Sequence, residues 1–390
     1  MSGGVIARGL KAIPGVRITL VEQVSRKDHV NAGNGLNIGP NALKALDEVL
    51  PAMADELRAA SLPWTRWKAS LVNGMPLYET RLDDVADRPG IRIRWSELYG
   101  ISRDTVADIT HFEHRLTGLR YGSSGESAVA IEIEHVTSGA RRMIDDIDLL
   151  IACDGRYSRV REQLFGAPPV RHLQIANFRL LTNDDSNGGI GDMEQWFNGP
   201  NRLLAYRLQD GNIYLSGTVP VPGSGELREG DKTADAIRRA YLPADGGILD
   251  VCRTFVEATC AQPEALHWSR MQEIPTCFRD NDGRVLFVGD SAHAMAPTLG
   301  QGATQAIEDG CAFVGLFARM FGAAGFSVPD LTAAFERLRH DRIDFVKRLS
   351  WQASAPMLAG SDPVASHKAT FDDDFRADLR RVYLDTPFAQ

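Results

Sequence analysis

The residues best suited to chemistry stand in the segment 284–303. An apolar run ends at Gly289 and Asp290, a loop containing His293 and Pro297 follows, and a turn of small residues then opens a helix. A carboxylate at a strand end can accept hydrogen bonds from the hydroxyl groups of a sugar or polyol. Backbone N–H groups at a helix start favour a phosphate or a partly anionic ring. The pattern predicts a ligand that combines these groups, and the alternative is a structural segment whose glycines serve only the turns.

A second candidate segment ends another apolar strand, at 149–161. An Asp-Gly pair, Asp154 and Gly155, is followed by Ser158, Arg159 and Arg161. An Asp-Gly pair alone is typical of many turns, so the prediction depends on the whole segment from Asp154 to Arg161. Either arginine is suited to meeting a phosphate group.

Together the two segments resemble the FAD-dependent aromatic hydroxylases, the single-component flavoprotein monooxygenases of the p-hydroxybenzoate and salicylate hydroxylase type. The resemblance covers roughly residues 7–349. It implies that NAD(P)H reduces the flavin, that O2 then forms a C4a-hydroperoxide, and that an electron-rich aromatic or heteroaromatic ring attacks its distal oxygen. A phenol, aromatic acid or hydroxypyridine is the expected substrate.

The resemblance also implies roles for the motif residues. Asp290, preceded by Gly289, binds the ribityl hydroxyl groups, and Pro297 lines the side of the flavin where oxygen reacts. Asp154 and Gly155 lie near the FAD diphosphate and NAD(P)H, where the carboxylate has a structural and electrostatic role. Backbone donors to the pyrimidine side of the flavin come from Gly300, Gln301, Gly302 and Ala303.

Three further residues have alternatives. Asn37, in the segment 33–43, points near the flavin ring or serves a plain loop. Arg94 reaches the flavin phosphate from the start of a helix, although alignment on the following leucine puts Trp95 in that place. His293 is the one histidine within a motif, and it either organises the loop or takes a direct part in catalysis.

Glu22 ends an apolar run at 16–22 and is the type of residue that accepts a hydrogen bond from an adenosine ribose in a Rossmann unit. The expected G-x-G-x-x-G fingerprint belongs about 20 residues upstream, but the sequence begins at Met1. One hypothesis is a clipped gene start. The other is a truncated or degenerate flavoprotein with impaired FAD binding and no activity.

The elements that must position these residues follow from hydrophobic periodicity. The patterns predict helices at 6–13 and 41–57, a β-meander at 116–151, alternating strands at 173–221 and a solvated tail beyond residue 358. We expect an α/β fold with a Rossmann-like FAD-binding domain and an inserted, mostly antiparallel substrate domain. The predicted division is 1–167 and 269–350 for the FAD-binding domain, 168–268 for the substrate domain and 351–390 for the tail.

Four aromatic residues in the predicted substrate domain fit a flat aromatic ligand: Trp196, Phe197, Tyr206 and Tyr214. Aromatic side chains in strands more often belong to the core. A flavin epoxidase or reductase of the same fold, acting on a lipid-like substrate, is a further alternative and requires a larger apolar pocket.

Composition excludes several classes of partner. Lysine and arginine total 43 against 51 aspartate and glutamate, so the formal net charge is -8, which disfavours nucleic acid and anionic membranes. The five cysteines are too few and too scattered for a disulfide framework, and no His, Cys, Asp or Glu cluster has metal-ligand spacing. We expect a cytoplasmic enzyme, a monomer or homodimer, whose partners are a small aromatic substrate and O2.

Overall fold

The structure, a computed structural model, describes residues 1–27, 35–121, 129–183, 189–221, 227–244 and 247–386. Its helices are α1 (Ser2–Leu10), α2 (Pro40–Val49), α3 (Pro51–Ala59), α4 (Trp95–Asp104), α5 (Arg159–Phe165), α6 (Ala234–Tyr241), α7 (Asp250–Cys260), α8 (Asp290–His293), α9 (Gln301–Met320), α10 (Val328–Gln352), α11 (Pro363–Thr370) and α12 (Asp373–Leu384). Its strands are β1 (Leu20–Val21), β2 (Gly35–Ile38), β3 (Leu62–Trp64), β4 (Arg66–Leu71), β5 (Pro76–Arg81), β6 (Gly90–Arg94), β7 (Thr110–His111), β8 (His114–Tyr121), β9 (Val129–His135), β10 (Arg141–Ile147), β11 (Leu150–Ala152), β12 (Arg171–Thr182), β13 (Met193–Asn198), β14 (Asn201–Arg207), β15 (Ile213–Pro220), β16 (Ser269–Glu273) and β17 (Val285–Phe287). None of the described helices carries an apolar stretch long enough to cross a bilayer.

Two separate pairs of parallel strands occur in the described part of the chain, and one of them leads into the candidate site. β11 pairs with β17, and β1 pairs with β7. Val285, Leu286 and Phe287 of β17 are fully buried, as expected of parallel strands covered on both faces. Within the described residues no strand joins the two pairs. The chain therefore leaves β17 for Gly289 and Asp290 from a fixed, buried position.

A seven-stranded sheet forms the second large element, with the order β16-β12-β15-β14-β13-β4-β5. Its neighbours run antiparallel except for β13 and β4, which are parallel. Two of its strands, β4 and β5, precede the predicted substrate range 168–268, and β16 follows it. The sheet therefore draws on strands from both sides of that range.

The two faces of this sheet bury different side chains, because neighbouring residues of a strand point in opposite directions. Trp196 and Leu203 pack with α7, where the Trp196 ring lies 6.0 Å from Phe255. Tyr206 and Tyr214 belong to the cluster on the other face. We call this second face, with its residues Met193, Gln195, Phe197, Arg202, Tyr206, Tyr214 and Thr218, the inner face. Trp196 therefore lies on the face opposite to Phe197, Tyr206 and Tyr214.

Helix α9 is the long element beneath the candidate site. It packs against α1, α2 and α10, and glycine allows one of these contacts to be close. A Cβ placed on Gly310 of α9 would lie 2.6 Å from Cβ of Val5 in α1, a distance that real side chains do not tolerate. This close contact fixes the middle of α9 against α1.

The predicted single helix at 41–57 is two helices, α2 and α3. Leu50 separates them with φ -140° and ψ 63°. Pro51 explains the break, because proline lacks an N–H group and moves the preceding residue out of the helical region.

The predicted solvated tail is also wrong. Helix α12 buries Phe375, Leu379 and Tyr383. Its final turn is held from outside, since Arg342 donates to the Val382 carbonyl at 2.8 Å. The last helix is therefore part of the folded core.

Candidate functional site

Gly289 begins the site at the end of β17. Its φ of +62° and ψ of -141° lie in a region that side chains avoid. A Cβ here would also lie 2.9 Å from Oγ of Ser2. The Gly289 N–H donates to Oδ2 of Asp309 at 2.8 Å. Gly289 therefore fixes the direction in which the next residue leaves the strand.

This geometry predicts the effect of Gly289→Ala. The strained backbone and the contact with Ser2 are expected to lower the free energy of unfolding by about 1–3 kcal/mol, measured by urea denaturation. Gly315→Ala is the matched control, because Gly315 lies within α9 with open space around it. We expect the control to raise stability slightly, and equal losses in both variants would contradict the assignment.

The Asp290 carboxylate lies beside the first turn of α9. A Cβ placed on Gly302 would be 3.8 Å from Oδ1 of Asp290. Asp290 is half-buried and accepts no hydrogen bond from the described residues. An unpaired acceptor thus faces the end of a helix whose first N–H groups have no intrahelical partner. This combination fits the hydroxyl chain and the anionic ring edge of FAD.

The turn itself leaves its backbone available and hides its polar side chain. Gly300 adopts the left-handed conformation at φ +63°. Gln301 is fully buried beneath the turn, and its Oε1 accepts from Asn41 at 3.2 Å and Gln305 at 3.0 Å. Ala303 is half-buried. A ligand at this turn would therefore meet peptide groups, and the predicted role of these donors stays a prediction.

Asn37 links the turn to the inner face. The point where a Gly300 Cβ would stand lies 3.7 Å from both Cβ and the carbonyl of Asn37. Asn37 Nδ2 donates to the sulfur of Met193 at 3.2 Å. The rest of β2 also packs closely, since a Cβ on Gly35 would lie 2.9 Å from the Tyr206 hydroxyl. The predicted segment around Asn37 begins at 33–34, which lies outside the described residues.

Comparison with known proteins agrees with this geometry. Residues 257–347, which include the strand end and the turn, match the FAD binding domain family. The chain is 26% identical to 6-hydroxynicotinate 3-monooxygenase of Bordetella bronchiseptica over 363 residues, 89% of this chain and 88% of that protein. It is 27% identical to 3-amino-4-hydroxybenzoate 2-monooxygenase PtmB3 of Streptomyces platensis over 86% of this chain and 81% of that protein. These similarities support an FAD-dependent aromatic hydroxylase family for this chain.

Solved structures show the same fold. The crystal structure of Klebsiella pneumoniae HpxO with FAD and uric acid superposes with a TM-score of 0.79 at 19% identity, covering 100% of this chain and 95% of that one. Pseudomonas aeruginosa PqsL in complex with 2-aminobenzoylacetate gives 0.74 at 15% identity, covering 95% and 96%. The predicted α/β fold with an inserted, mostly antiparallel sheet is confirmed.

His293 and Pro297 lie in different surroundings. His293 is fully buried, and its Nε2 lies 2.7 Å from Oδ2 of Asp309. This placement favours the interpretation that His293 organises the loop. Pro297 is exposed at the start of the short 3-10 turn that leads into Gly300. It therefore stays a candidate for contact with the flavin.

The Asp-Gly loop lies at the end of β11. The exposed Asp154 accepts from the Val160 N–H at 3.2 Å, and Gly155 adopts φ +78° in open space. Arg161 is buried and donates to the carbonyls of Ser291 and Pro275 at 2.9 Å and 2.7 Å. Arg161 thus ties this loop to α8, and its role as a phosphate ligand is not supported.

Glu22 and Arg94 are occupied by other protein groups. Glu22 accepts from the Tyr99 hydroxyl at 2.6 Å and from the Val24 N–H at 3.2 Å. Burial, assisted by the Glu22 carboxylate, raises the pKa of Tyr99, so the phenol stays a donor. Arg94 forms a 2.9 Å ion pair with Asp210. Their cofactor roles remain predictions.

Sequence reasoning missed Arg202, which lies on the inner face. Arg202 is 6% exposed. Among the described residues, its Nη1 donates to Gln195 Oε1 at 3.3 Å and its Nε has no hydrogen-bond partner. Burial lowers the pKa of its guanidinium to about 10. In the sequence, Arg202 is a charged residue within an alternating strand, and this is the signal that could have identified it. The sequence alone did not show which face of the sheet would meet a ligand.

A buried charge cluster was also missed. Glu308 and Asp309 of α9 are fully buried and paired with Arg339 of α10, and Arg342 joins them at Glu308. Burial by itself raises the pKa of Glu308, but the guanidinium groups of Arg342 and Arg339 outweigh it and hold that pKa at about 2. The cluster therefore stays charged under ordinary conditions.

The low pKa of Glu308 predicts how stability depends on pH. Since this pKa lies below the ordinary value of 4.5, the contribution of Glu308 is complete above pH 4.5 and is lost as pH falls toward 2. Glu308→Gln is expected to cost about 3–5 kcal/mol near neutral pH, with a difference from the wild type that shrinks in acid. Denaturation at several pH values measures this, and a constant difference would contradict the assignment.

Proposed function

We propose that the chain hydroxylates a small aromatic or heteroaromatic acid, using O2 and FAD that is reduced by NAD(P)H. The observation that supports this most is the meeting of the unpaired Asp290 carboxylate, the first turn of α9 and Asn37 at the edge of the inner face. In the balanced reaction, substrate, O2, NAD(P)H and a proton give hydroxylated substrate, water and NAD(P)⁺. Bound FAD supplies the reduction of O2 and the transfer of one oxygen atom.

The protein binds and orients the cofactor in this proposal. Asp290 accepts hydrogen bonds from the ribityl hydroxyl groups. The N–H groups of the turn Gly300, Gln301, Gly302 and Ala303 donate to the pyrimidine edge, where the helix dipole favours negative charge. Pro297 lies against the ring on the side where oxygen reacts. Glu22, Arg94, Asp154 and Gly155 are proposed to contact the adenosine and diphosphate part.

The inner face supplies the substrate site. Met193 contacts Asn37 beside the turn, and Gln195 lies two residues further along β13, roughly 7 Å away. Arg202 donates to Gln195. This spacing suits a single aromatic ring between the cofactor turn and the guanidinium. Tyr206 and Tyr214, whose rings lie 4.9 Å apart, form an apolar wall that excludes water.

Charge on Arg202 indicates the class of substrate. A buried guanidinium without an anion is costly, and no carboxylate in the described part of the chain forms an ion pair with Arg202. A carboxylate or a deprotonated hydroxyl group on the ring would remove that cost. We therefore propose an anionic substrate, such as an aromatic acid or a hydroxypyridine carboxylate.

The test begins with the visible spectrum of the purified chain after addition of FAD and desalting. Retained flavin bands are expected, followed by substrate-dependent NAD(P)H oxidation with a panel of aromatic acids and hydroxypyridines. Mass spectrometry with ¹⁸O2 should show one labelled oxygen in the product. Failure to retain flavin, or NAD(P)H oxidation that yields only peroxide with every compound, would count against the proposal.

A further inference from the structure

Arg339 lies fully buried beneath the cofactor turn and binds three side chains of α9. Its Nε donates to Oδ1 of Asp309 at 2.7 Å, its Nη1 to Oε2 of Glu308 at 2.8 Å, and its Nη2 to Oε1 of Gln305 at 2.7 Å. All three acceptors are also fully buried. One guanidinium from α10 thus holds three side chains on one side of α9.

Hydrogen bonds run from these three side chains to both parts of the cofactor site. Asp309 accepts from the Gly289 N–H at 2.8 Å, next to Asp290. Gln305 donates to Gln301 at 3.0 Å within the turn. Glu308 reaches Gln301 through Asn41, which donates to both. The strand-end loop and the turn therefore share one anchor, although neither touches Arg339.

Stability alone does not explain this arrangement. Buried ion pairs are often no more stabilising than apolar side chains of similar size, but they can select one geometry. Apolar contacts already hold α9 to α10, with the rings of Phe313 and Phe335 6.1 Å apart. Gly289 and Gly300, at positive φ, have no side chain to fix their peptides. External hydrogen bonds are the available means of positioning them.

We propose that Arg339 is a positioning residue for FAD, which sets the strand-end carboxylate and the peptide donors of the turn relative to each other. The inference rests on the proposed binding of FAD. Arg339 is buried behind α9 and does not contact the cofactor itself. It affects the placement of the FAD-binding groups only through Asp309, Glu308 and Gln305.

The first test is Arg339→Lys, which keeps the charge but cannot reproduce three directed hydrogen bonds. FAD affinity, measured by quenching of flavin fluorescence, is expected to fall at least about tenfold. At saturating FAD, the visible band of the bound flavin should shift toward that of free flavin. The control is Phe335→Leu, which loosens the same helix one turn earlier without touching the cluster.

A second variant covers the possibility that Arg339→Lys does not fold. Gln305→Met removes the amide that joins Arg339 to Gln301, with no change of charge or length, and should weaken FAD binding severalfold with the same spectral shift. The inference is overturned if the wild type binds FAD and both folded variants bind it with unchanged affinity and spectrum. It is also overturned if Phe335→Leu reproduces their spectral shift. A wild type that binds no FAD would instead reject the proposed function.

Discussion

Replacing Asp290 by alanine is expected to lower the affinity for FAD by about 100-fold or more while leaving the fold intact. Two charge-assisted hydrogen bonds to ribityl hydroxyl groups, each contributing about 1.5–3 kcal/mol, give this magnitude. Little stability should be lost, since the carboxylate accepts no hydrogen bond within the described residues. Titration of the apoprotein with FAD, followed by flavin fluorescence, measures the effect.

Two variants sharpen this test. Asp290→Asn keeps an acceptor oxygen and is expected to show an intermediate affinity. Asp282→Ala makes the same change of charge at an exposed position before β17 and should bind FAD like the wild type. Unchanged flavin content in Asp290→Ala would reject the assignment of this carboxylate.

Replacing Arg202 by methionine is expected to raise the KM for an anionic aromatic substrate by about 30-fold to several thousandfold, since truncating one partner of a buried charged pair costs about 2–5 kcal/mol. The protein itself should become more stable, because the unligated fold buries this cation without an anion. Steady-state kinetics and thermal unfolding measure the two effects. Opposite signs for substrate binding and stability are typical of a residue retained for function.

Arg239→Met is the matched control, because Arg239 is exposed on α6 of the same part of the chain. It should leave the KM and FAD affinity unchanged. If Arg202→Met weakened neutral and anionic ring compounds equally, Arg202 would shape the pocket without recognising charge. The proposal of an acidic substrate would then fail.

The parts of the site that lie close in sequence were predictable. Gly289 and Asp290 end an apolar run, and Gly300 to Ala303 begin the next long helix, so local patterns were sufficient to predict a cofactor turn. The structure adds that Asp290 and Gly302 face each other. Only the path of the loop between them determines that contact.

The parts that depend on distant contacts were not predictable in the same way. Arg202 reaches the inner face through the registers of β13, β14 and β15, which a single sequence does not specify. Arg339 meets Glu308 and Asp309 because α10 packs against α9, and this packing is not visible in the sequence. An arginine in either segment looks like an ordinary surface residue when its neighbours are unknown.

Helix α12 is a different case, because its signal was present. Phe375, Leu379, Val382 and Tyr383 recur with the spacing of one helix face. The acidic residues Asp372 to Asp374 suggested a solvated tail, whereas Asp372 caps the helix by accepting from the Phe375 N–H. Negative charge at a helix start stabilises the helix. The acidic residues were therefore a signal for α12 and not for a solvated tail.

The parallel pairing of β13 with β4 has a consequence for how the chain acquires its structure. β4 and β5 leave the ribosome early, yet the neighbour of β4 in the sheet begins only at Met193. Contacts between such distant segments slow folding, because a long loop must close before they form. A fragment limited to 168–268 would also end with an open strand edge, which promotes aggregation. We therefore expect the seven-stranded sheet to fold together with the rest of the chain, and we expect that the range 168–268 cannot be expressed as a stable separate domain.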